Sequence, residues 1–180
     1  MASRIKYPEE FMKKIAIIGP ESTGKSTLAN QLSNELSFPL VPEFAREYLK
    51  NLNREYKYSD LSEIAKGQIE SEDKLAETKP PLLICDTDLT VIKIWSLHRF
   101  KQVEGWIERE LRTRTYDHYF LMYIDLPWVE DPQREHPELR NYFFNIYHEE
   151  CKKRRLPYTI IKGKENERLE SALKVIGNLH

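Results

Sequence analysis

Residues 19–26 read G-P-E-S-T-G-K-S, a full match to the phosphate-binding loop pattern G-x-x-x-x-G-K-[ST]. The apolar run Ile15 to Ile18 comes directly before this stretch, and a helix-like stretch follows it. A strand that leads through a glycine-rich turn into a helix start directs backbone N–H groups and the positive end of the helix dipole at one point, where phosphate oxygens bind. The sequence therefore predicts a nucleotide-binding protein.

The residue types within the loop assign further roles. Lys25 has the reach to bridge the terminal phosphates, and the hydroxyl of Ser26 is placed to bind the accompanying Mg²⁺. A chance match is a poor explanation, since average composition produces one in roughly two hundred random chains of this length. The expected cofactors are ATP and Mg²⁺. The predicted nucleotide-binding residues of the loop are Gly19, Glu21, Ser22, Thr23, Gly24, Lys25, Ser26 and Thr27.

Composition favours one compact domain over residues 1–180, with a core over 13–178, because 40% of the 180 residues are hydrophobic. The 28 basic and 29 acidic side chains nearly balance, so neither nucleic acid nor an anionic membrane is expected as a partner. The local basic run Lys152 to Arg155 is interpreted as a solvated helix end rather than a binding patch.

Two cysteines do not make a disulfide framework, which favours a reducing cytoplasm. The stretch Met1 to Lys14 lacks the apolar centre of a signal peptide, and no apolar run approaches the length of a membrane span. We therefore expect a soluble, cytoplasmic protein.

Short apolar runs alternate with helical patterns along the chain, which predicts an α/β three-layer sandwich: a five-stranded parallel sheet with helices on both faces. The predicted strands are Lys14 to Ile18, Pro39 to Pro42, Leu82 to Cys85, Tyr119 to Ile124 and Tyr158 to Ile161. The predicted helices are Lys25 to Ser37, Phe44 to Leu52, Asp60 to Thr78, Leu89 to Phe100, Val103 to Thr113, Pro137 to Arg155 and Glu165 to Gly177. Ligands of such sheets bind beyond the carboxyl ends of the strands, so the residues that follow each strand are the candidates for chemistry.

Two carboxylates follow the third strand, in L-L-I-C-D-T-D. An apolar strand that ends in aspartate is typical of the second nucleotide-binding motif, in which the carboxylate, here Asp86, holds Mg²⁺ directly or through water. Asp88 has two open interpretations: it caps the helix that begins at Leu89, or it faces the substrate.

After the second strand, P-E-F-A-R-E-Y places Glu43 and Arg46 three residues apart at a helix start. A carboxylate here is suited to polarise an acceptor hydroxyl for in-line attack on the γ-phosphorus. The alternative is a helix-initiating glutamate that interacts with the helix dipole, with Arg46 as its exposed partner.

The segment after the fourth strand, D-L-P-W-V-E-D-P-Q-R-E-H-P-E-L-R, is predicted to be a lid. Closing lids commonly supply arginines that neutralise charge in the transition state, and Arg134 and Arg140 are the candidates. Either arginine could instead pair with a nearby carboxylate on the surface, such as Asp131. Trp128 is interpreted either as core packing or as a platform for a flat heteroaromatic substrate.

The segment after the fifth strand, K-G-K-E-N-E-R, is expected to line the adenine edge through the backbone of Gly163. The five histidines show no spacing typical of metal ligands and receive no role.

Taken together, these motifs resemble the nicotinamide riboside kinase domain of the bacterial NAD-salvage regulator family. In that family a G-x-E-S-x-G-K-S loop, a glutamate with an Arg-Glu pair, a Tyr-Ser-Asp, a D-T-D and a W-x-x-D-x-x-R recur in this order. In this chain they are Gly19 to Ser26, Glu43 with Arg46 and Glu47, Tyr58 to Asp60, Asp86 to Asp88, and Trp128 with Asp131 and Arg134. The resemblance spans roughly residues 13–176.

The resemblance implies phosphoryl transfer from ATP·Mg²⁺ to the 5′-hydroxyl of nicotinamide riboside, in a P-loop NTPase fold with the strand order of nucleoside kinases. The implied catalytic residues are Lys25, Asp86, Glu43 and Arg134, with Ser26 and Asp86 at the metal. The implied substrate-binding residues are Glu43, Arg46, Asp88, Trp128, Asp131 and Arg140. A small nucleoside-type substrate is the expected partner.

The chain departs from the family pattern in the lid, where Pro132 stands in place of the usual glycine. Two other hypotheses therefore stay open: a kinase for another small hydroxylated acceptor, and a nucleotide-dependent ATPase or switch. A GTPase is disfavoured because the guanine motifs N-K-x-D and T-K-x-D do not occur. The sequence does not predict the oligomeric state.

Overall fold

Five parallel strands form a single sheet in the computed structural model, which describes residues 12–179 except for the side chain of Glu165. The strands are β1 (Lys13–Ile18), β2 (Leu40–Val41), β3 (Leu82–Asp86), β4 (His118–Met122) and β5 (Tyr158–Ile161). Their order across the sheet is β2-β3-β1-β4-β5, and every neighbouring pair runs parallel. The predicted fold class is confirmed.

Seven α-helices connect and cover the strands within the described residues 12–179. They are α1 (Lys25–Leu36), α2 (Phe44–Asn51), α3 (Tyr58–Ala76), α4 (Leu89–Phe100), α5 (Gly105–Thr113), α6 (Arg140–Arg154) and α7 (Glu165–Ile176). Each predicted helix is present. The predicted helix from Pro137 differs slightly, because residues Pro137–Leu139 form a 3₁₀ turn before α6 begins.

The two faces of β1 belong to different layers of the core, since successive side chains of a strand point to opposite faces. On one face Ile15 and Ile17 pack with residues of α1 and α7, such as Leu32 and Ile176. The other face is covered by α3, α4 and α6 and holds Ala16, Ile18, Leu83, Ile94 and Phe144. The sheet is therefore buried on both sides, which explains why its strands read as continuous apolar runs.

A third apolar cluster lies among the helices α2 to α5, where Leu61, Ile64, Ile92 and Ile107 are buried. It fixes α2 and α4 near the edge of the sheet at which β2 and β3 end. The connection from α2 to α3 is held by the buried carboxylate of Asp60, which accepts hydrogen bonds from Arg54, Tyr48 and the backbone of Lys57. The Arg54 guanidinium lowers the pKa of Asp60.

Neither cysteine of the described chain is in a disulfide: Cys85 and Cys151 are both buried thiols. Within residues 12–179 the structure contains no helix with the length and apolar character that crossing a membrane would require.

Candidate functional site

The phosphate-binding loop connects β1 to α1 in a conformation that two glycines make possible. Gly19 has φ +139°, and a Cβ added there would lie 3.0 Å from the carbonyl oxygen of Met122. Gly24 has φ +80°, in the left-handed region, at the start of α1. Glycine populates such angles at little cost, so the loop can turn sharply and lead directly into the helix.

The ammonium group of Lys25 lies over the loop. It donates hydrogen bonds to the carbonyl oxygens of Gly19 at 3.0 Å and Pro20 at 2.9 Å. The buried hydroxyl of Thr23 also donates to Pro20, at 2.8 Å. Lys25 is thus a cation held at the centre of the loop, whereas Thr23 shapes the loop from within.

Asp86 ends β3, directly beside β1, and its position across the sheet is paired with Ile17. Its side chain forms a hydrogen bond with Ser26. Burial raises the pKa of Asp86 to about 6, although the hydrogen bond with Ser26 lowers it. One carboxylate oxygen, Oδ1, is buried and has no hydrogen-bond partner within residues 12–179. A buried carboxylate oxygen without a partner, next to a serine hydroxyl, fits the few protein ligands that Mg²⁺ takes beside phosphates and water.

Glu43 and Arg46 both line the same cavity as the loop. Glu43 is the N-cap residue of α2, yet its side chain makes no capping hydrogen bond, and its negative charge contributes to the raised pKa of Asp86. The Arg46 guanidinium donates to Asp131 at 3.1 Å, so it pairs with the lid rather than with Glu43.

Asp88 caps α4, and the structure thereby favours that interpretation over a substrate contact. Its Oδ1 accepts from the backbone N–H of Thr90 at 2.9 Å, and its Oδ2 accepts from the Thr90 hydroxyl at 2.8 Å. Asp88 is 1% exposed, and burial raises its pKa to about 6. Both oxygens are therefore used within the fold.

Residues 127–136, here named the lid, contact the phosphate-binding loop directly. The hydroxyl of Ser22 accepts from the backbone N–H of Val129 at 2.8 Å, and the Glu21 carboxylate accepts from that of Glu135 at 3.1 Å. Burial raises the pKa of Glu21. Glu21 and Ser22 thus connect the loop to the lid, which gives a physical reason for the glutamate that the general loop pattern leaves free.

The two predicted lid arginines have different surroundings. Arg134 lines the cavity and donates to the carbonyl oxygen of Val129 and, at 3.4 Å, to the hydroxyl of Ser22. Arg140 begins α6 and donates to the carbonyl oxygens of Ser22 at 3.2 Å and Leu126 at 2.9 Å. Arg134 is therefore available at the cavity beside the loop, whereas Arg140 binds the backbone of the loop and is not among the described residues that line the cavity.

An arginine that the sequence did not single out, Arg168 of α7, connects the loop to the segment after β5. Its guanidinium is 3% exposed and donates to the carbonyl oxygens of Thr23 and Tyr123 and to Asp125. Its Nε donates to the carbonyl oxygen of Gly163 at 2.7 Å. Sequence analysis missed it because a lone arginine in a polar helix carries no motif.

The cavity has a volume of about 600 Å³ and extends from the loop to an aromatic end. Aromatic side chains from α4, the lid and α6 line that far end: Trp95, His98, His136, Phe143 and Tyr147. The pairs His98–Phe143 and His98–His136 have ring centroids 4.7 and 5.0 Å apart. The described residues that line the cavity do not include Asp88, Trp128, Asp131, Arg140 or Gly163.

Sequence analysis did not find the aromatic end. Trp95 and His98 are three residues apart on α4, and Phe143 and Tyr147 are four apart on α6, which is also the spacing of ordinary core residues. Trp128, for which core packing and a substrate contact were both open, is half-buried and is not among the described residues that line the cavity; its indole N–H has no partner within the described residues.

A family model described as "AAA domain" matches residues 14–168. Because the match covers most of the 180 residues, the chain belongs to the AAA domain family.

Curated relatives carry a more specific description. The trifunctional NAD biosynthesis/regulator proteins NadR of Salmonella typhimurium and Escherichia coli are each 27% identical to the chain over 128 residues. The aligned part is 69% of this chain and 31% of each relative, so the chain spans less than a third of the length of these proteins.

Solved structures share the fold. The NadR protein in complex with NR superposes with a TM-score of 0.80 at 22% identity, covering 95% of this chain and 52% of that one. A NadR complex with NAD and AMP-PNP gives 0.76, also at 22% identity, over 95% and 50% of the two chains. Thymidylate kinase from Ehrlichia chaffeensis gives 0.68 at 15% identity, over 92% and 98%.

Proposed function

We propose that this member of the AAA domain family is an ATP- and Mg²⁺-dependent kinase that phosphorylates the 5′-hydroxyl of nicotinamide riboside and so produces nicotinamide mononucleotide. The observation that carries the proposal is that the phosphate-binding loop and the aromatic end line one continuous cavity of about 600 Å³. Asp86 and Glu43 line the same cavity and are available to a transferring phosphoryl group and its acceptor.

Phosphoryl transfer needs positioning and charge compensation more than covalent chemistry by the protein. In the proposed reaction the acceptor oxygen forms a bond to the γ-phosphorus while the bond from that phosphorus to the β–γ bridging oxygen breaks, which releases ADP. Lys25 and Arg134 compensate the charge on the phosphoryl oxygens. The hydroxyl proton passes to a carboxylate, for which Glu43 is suited because its side chain lines the cavity without a capping bond.

Ser26 and Asp86 are the residues that would hold Mg²⁺. The bound ion would neutralise charge on the β- and γ-phosphates. The buried Oδ1 of Asp86 has no partner within residues 12–179, which supports this assignment.

The aromatic end suits a flat, positively charged ring, and the nicotinamide ring of the riboside is such a cation. Aromatic faces attract cations through their quadrupole, by about 0.5–2 kcal/mol. The Trp95 ring is held in place because its indole N–H donates to the Tyr56 hydroxyl at 3.0 Å. That hydroxyl in turn donates to Glu135 of the lid at 3.2 Å. The Tyr56 hydroxyl thus connects the aromatic end to the lid through two hydrogen bonds.

The similarity to NadR proteins, one of them solved in complex with NR, supports this acceptor over others. Deoxyadenosine kinase from M. mycoides shares the fold with a TM-score of 0.57 at 16% identity, so the fold by itself also fits other nucleoside acceptors. The aromatic end is the feature that favours the nicotinamide ring.

A direct assay tests the proposal. Purified protein with ATP and Mg²⁺ should release ADP and form nicotinamide mononucleotide from nicotinamide riboside well above the rate without acceptor. A panel of uncharged nucleosides under the same conditions is the comparison. Preferential use of an uncharged nucleoside would overturn the acceptor assignment and leave the kinase. ATP binding without transfer to any member of the panel would instead indicate a switch.

Replacing Arg134 by alanine should lower kcat by about 10²-fold while raising the KM for ATP by less than about threefold, since the guanidinium acts on charge that develops in the transition state. Steady-state kinetics with the preferred acceptor measure both constants. Arg99→Ala on α4 is the matched control, because Arg99 is exposed and does not line the cavity. Equal kcat in parent and Arg134→Ala would remove Arg134 from the reaction.

A further inference from the structure

A second cavity of about 380 Å³ lies away from the phosphate-binding loop. It is formed by the end of α5, the residues that lead into β4, and the end of α6 with Leu156 and Pro157 before β5. Thr115 and Tyr116 precede β4, so this part of the cavity lies toward the amino ends of the strands. The loop and Asp86 are at the carboxyl ends, and the proposed kinase reaction makes no use of this cavity.

The charge of the cavity is positive. Three arginines line it, Arg112, Arg114 and Arg154, and none of the described residues that line it is acidic. The Arg114 guanidinium forms an ion pair with Asp73, a carboxylate on α3 that is 56% exposed and outside the lining. The buried carboxylate of Asp88 also lies near Arg154, and the net charge stays positive after both carboxylates are counted against the three arginines.

The Arg154 guanidinium is held in a fixed position. Its Nη1 donates to the hydroxyl of Thr90 at 2.9 Å, and its Nη2 donates to the carbonyl oxygen of Leu111 at 2.7 Å. An arginine has more N–H donors than these two bonds use. A guanidinium that is already ordered loses little side-chain entropy when it binds an anion.

Two hydrogen-bond donors of the lining residues, the Tyr119 O–H and Nε–H of Arg114, are buried and have no acceptor within residues 12–179, although the Arg154 guanidinium lies close to the Tyr119 oxygen. Tyr119 is 1% exposed. Both atoms are hydrogen-bond donors, and a buried donor without an acceptor costs about 1–3 kcal/mol. Native proteins contain few such groups, and each one calls for an explanation.

We propose that this cavity is a binding site for a small phosphate-type oxyanion, either inorganic phosphate or the phosphate group of a small metabolite. An oxyanion would supply the acceptors that the Tyr119 hydroxyl and Arg114 lack, and its charge would be balanced by the arginines. Arginine forks match phosphate oxygens geometrically. The volume of about 380 Å³ leaves room for a sugar attached to the phosphate.

Isothermal titration calorimetry of the full chain tests the site. Because the phosphate-binding loop also takes phosphate, the protein is first saturated with a non-hydrolysable ATP analogue and Mg²⁺, and inorganic phosphate is then titrated at low ionic strength. We expect saturable binding with a Kd below about 1 mM. Ribose 5-phosphate in a second titration distinguishes the sources: tighter binding than phosphate indicates a metabolite, and equal binding indicates the free ion.

Variants locate the binding. Arg112→Gln removes an exposed charge from the lining, and Tyr119→Phe removes only the hydroxyl; each should weaken phosphate binding at least about fivefold. Arg109→Gln is the matched control, because it removes an equal charge one turn away on α5 from a residue outside the lining, and it should bind as the parent does. Binding that is absent, or equal in all variants, would overturn the proposal. The readout is phosphate binding rather than turnover, so the result is separate from any failure of the kinase assignment.

Discussion

Lys25→Ala is expected to lower turnover of ATP at least about 10³-fold while leaving the folded structure intact, since it removes the charge that acts on the transferring phosphoryl group. Among the described residues, the ammonium donates hydrogen bonds to the backbone carbonyl oxygens of Gly19 and Pro20, and Lys25 is in none of the three apolar clusters. Removing it therefore creates no cavity in the core. Single-turnover and steady-state rates of ADP formation, with circular dichroism of both proteins, are the measurements.

The matched control for that change is Lys66→Ala. Lys66 is an exposed lysine on α3 that pairs with Glu63 and does not line the cavity, so its loss should leave kcat unchanged. An active Lys25→Ala enzyme would contradict the assignment of the phosphate-binding loop. A Lys25→Ala protein that no longer folds would show that the lysine stabilises the loop rather than the reaction.

Asp86→Asn should reduce kcat by about 10³-fold or more, because a neutral amide is a poor ligand for Mg²⁺ and cannot accept a proton. Asp88→Asn is the control two residues away. An asparagine also caps helices well, and Asp88 is a cap whose oxygens bind Thr90 rather than facing the cavity. We expect Asp88→Asn to keep its activity within about tenfold of the parent, given a capping change of at most about 1 kcal/mol. Equal losses in the two variants would contradict the distinction that the structure makes between them.

The same Asp86→Asn protein, measured without nucleotide or metal, should be more stable than the parent at neutral pH. Burial raises the pKa of Asp86 from 3.8 to about 6, so the folded state binds the proton more tightly than the unfolded state does. The parent therefore loses stability as pH rises from about 4 to about 6, by an amount on the order of 3 kcal/mol from this group. Asparagine does not ionise, so the variant does not lose this stability as the pH rises.

Thermal unfolding of the parent and of Asp86→Asn across the pH range gives the test. The difference in Tm should be near zero below about pH 4 and should grow to several degrees above about pH 6, since about 1 kcal/mol shifts Tm by a few degrees in a domain of this size. The other buried carboxyl in this region, Asp88, is present in both proteins, so its titration largely cancels in the difference. A constant difference across pH would show that Asp86 is not desolvated in solution.

The fold could be predicted from the sequence because its signals are local. Continuous apolar runs such as Leu82 to Cys85 indicate strands buried on both faces, and the loop at Gly19 predicts a strand before it and a helix after it. The residues at the phosphate end of the site could also be predicted, because Lys25, Ser26 and Asp86 follow or end adjacent strands, at the carboxyl ends where ligands of parallel sheets bind.

The remaining parts of the site depend on contacts between distant segments. Trp95 and Phe143 are on different helices and are more than forty positions apart in the sequence, and the aromatic residues of each helix have the spacing of core residues. Whether Asp88 caps a helix or faces a ligand depends on where Thr90 places its hydroxyl. The role of Glu21 depends on the lid, because the backbone N–H of Glu135 donates to its carboxylate. Such information is absent from a local pattern.

The Arg168 guanidinium couples local unfolding of α7 to the phosphate-binding loop. It joins α7, the last helix, to the loop that follows the first strand, through the carbonyl oxygen of Thr23. Any fluctuation that detaches α7 must release the loop from this bond, and a ligand that holds the loop must oppose that fluctuation. Amide hydrogen exchange in α7 should therefore slow when nucleotide binds, although none of the described side chains of α7 lines the cavity.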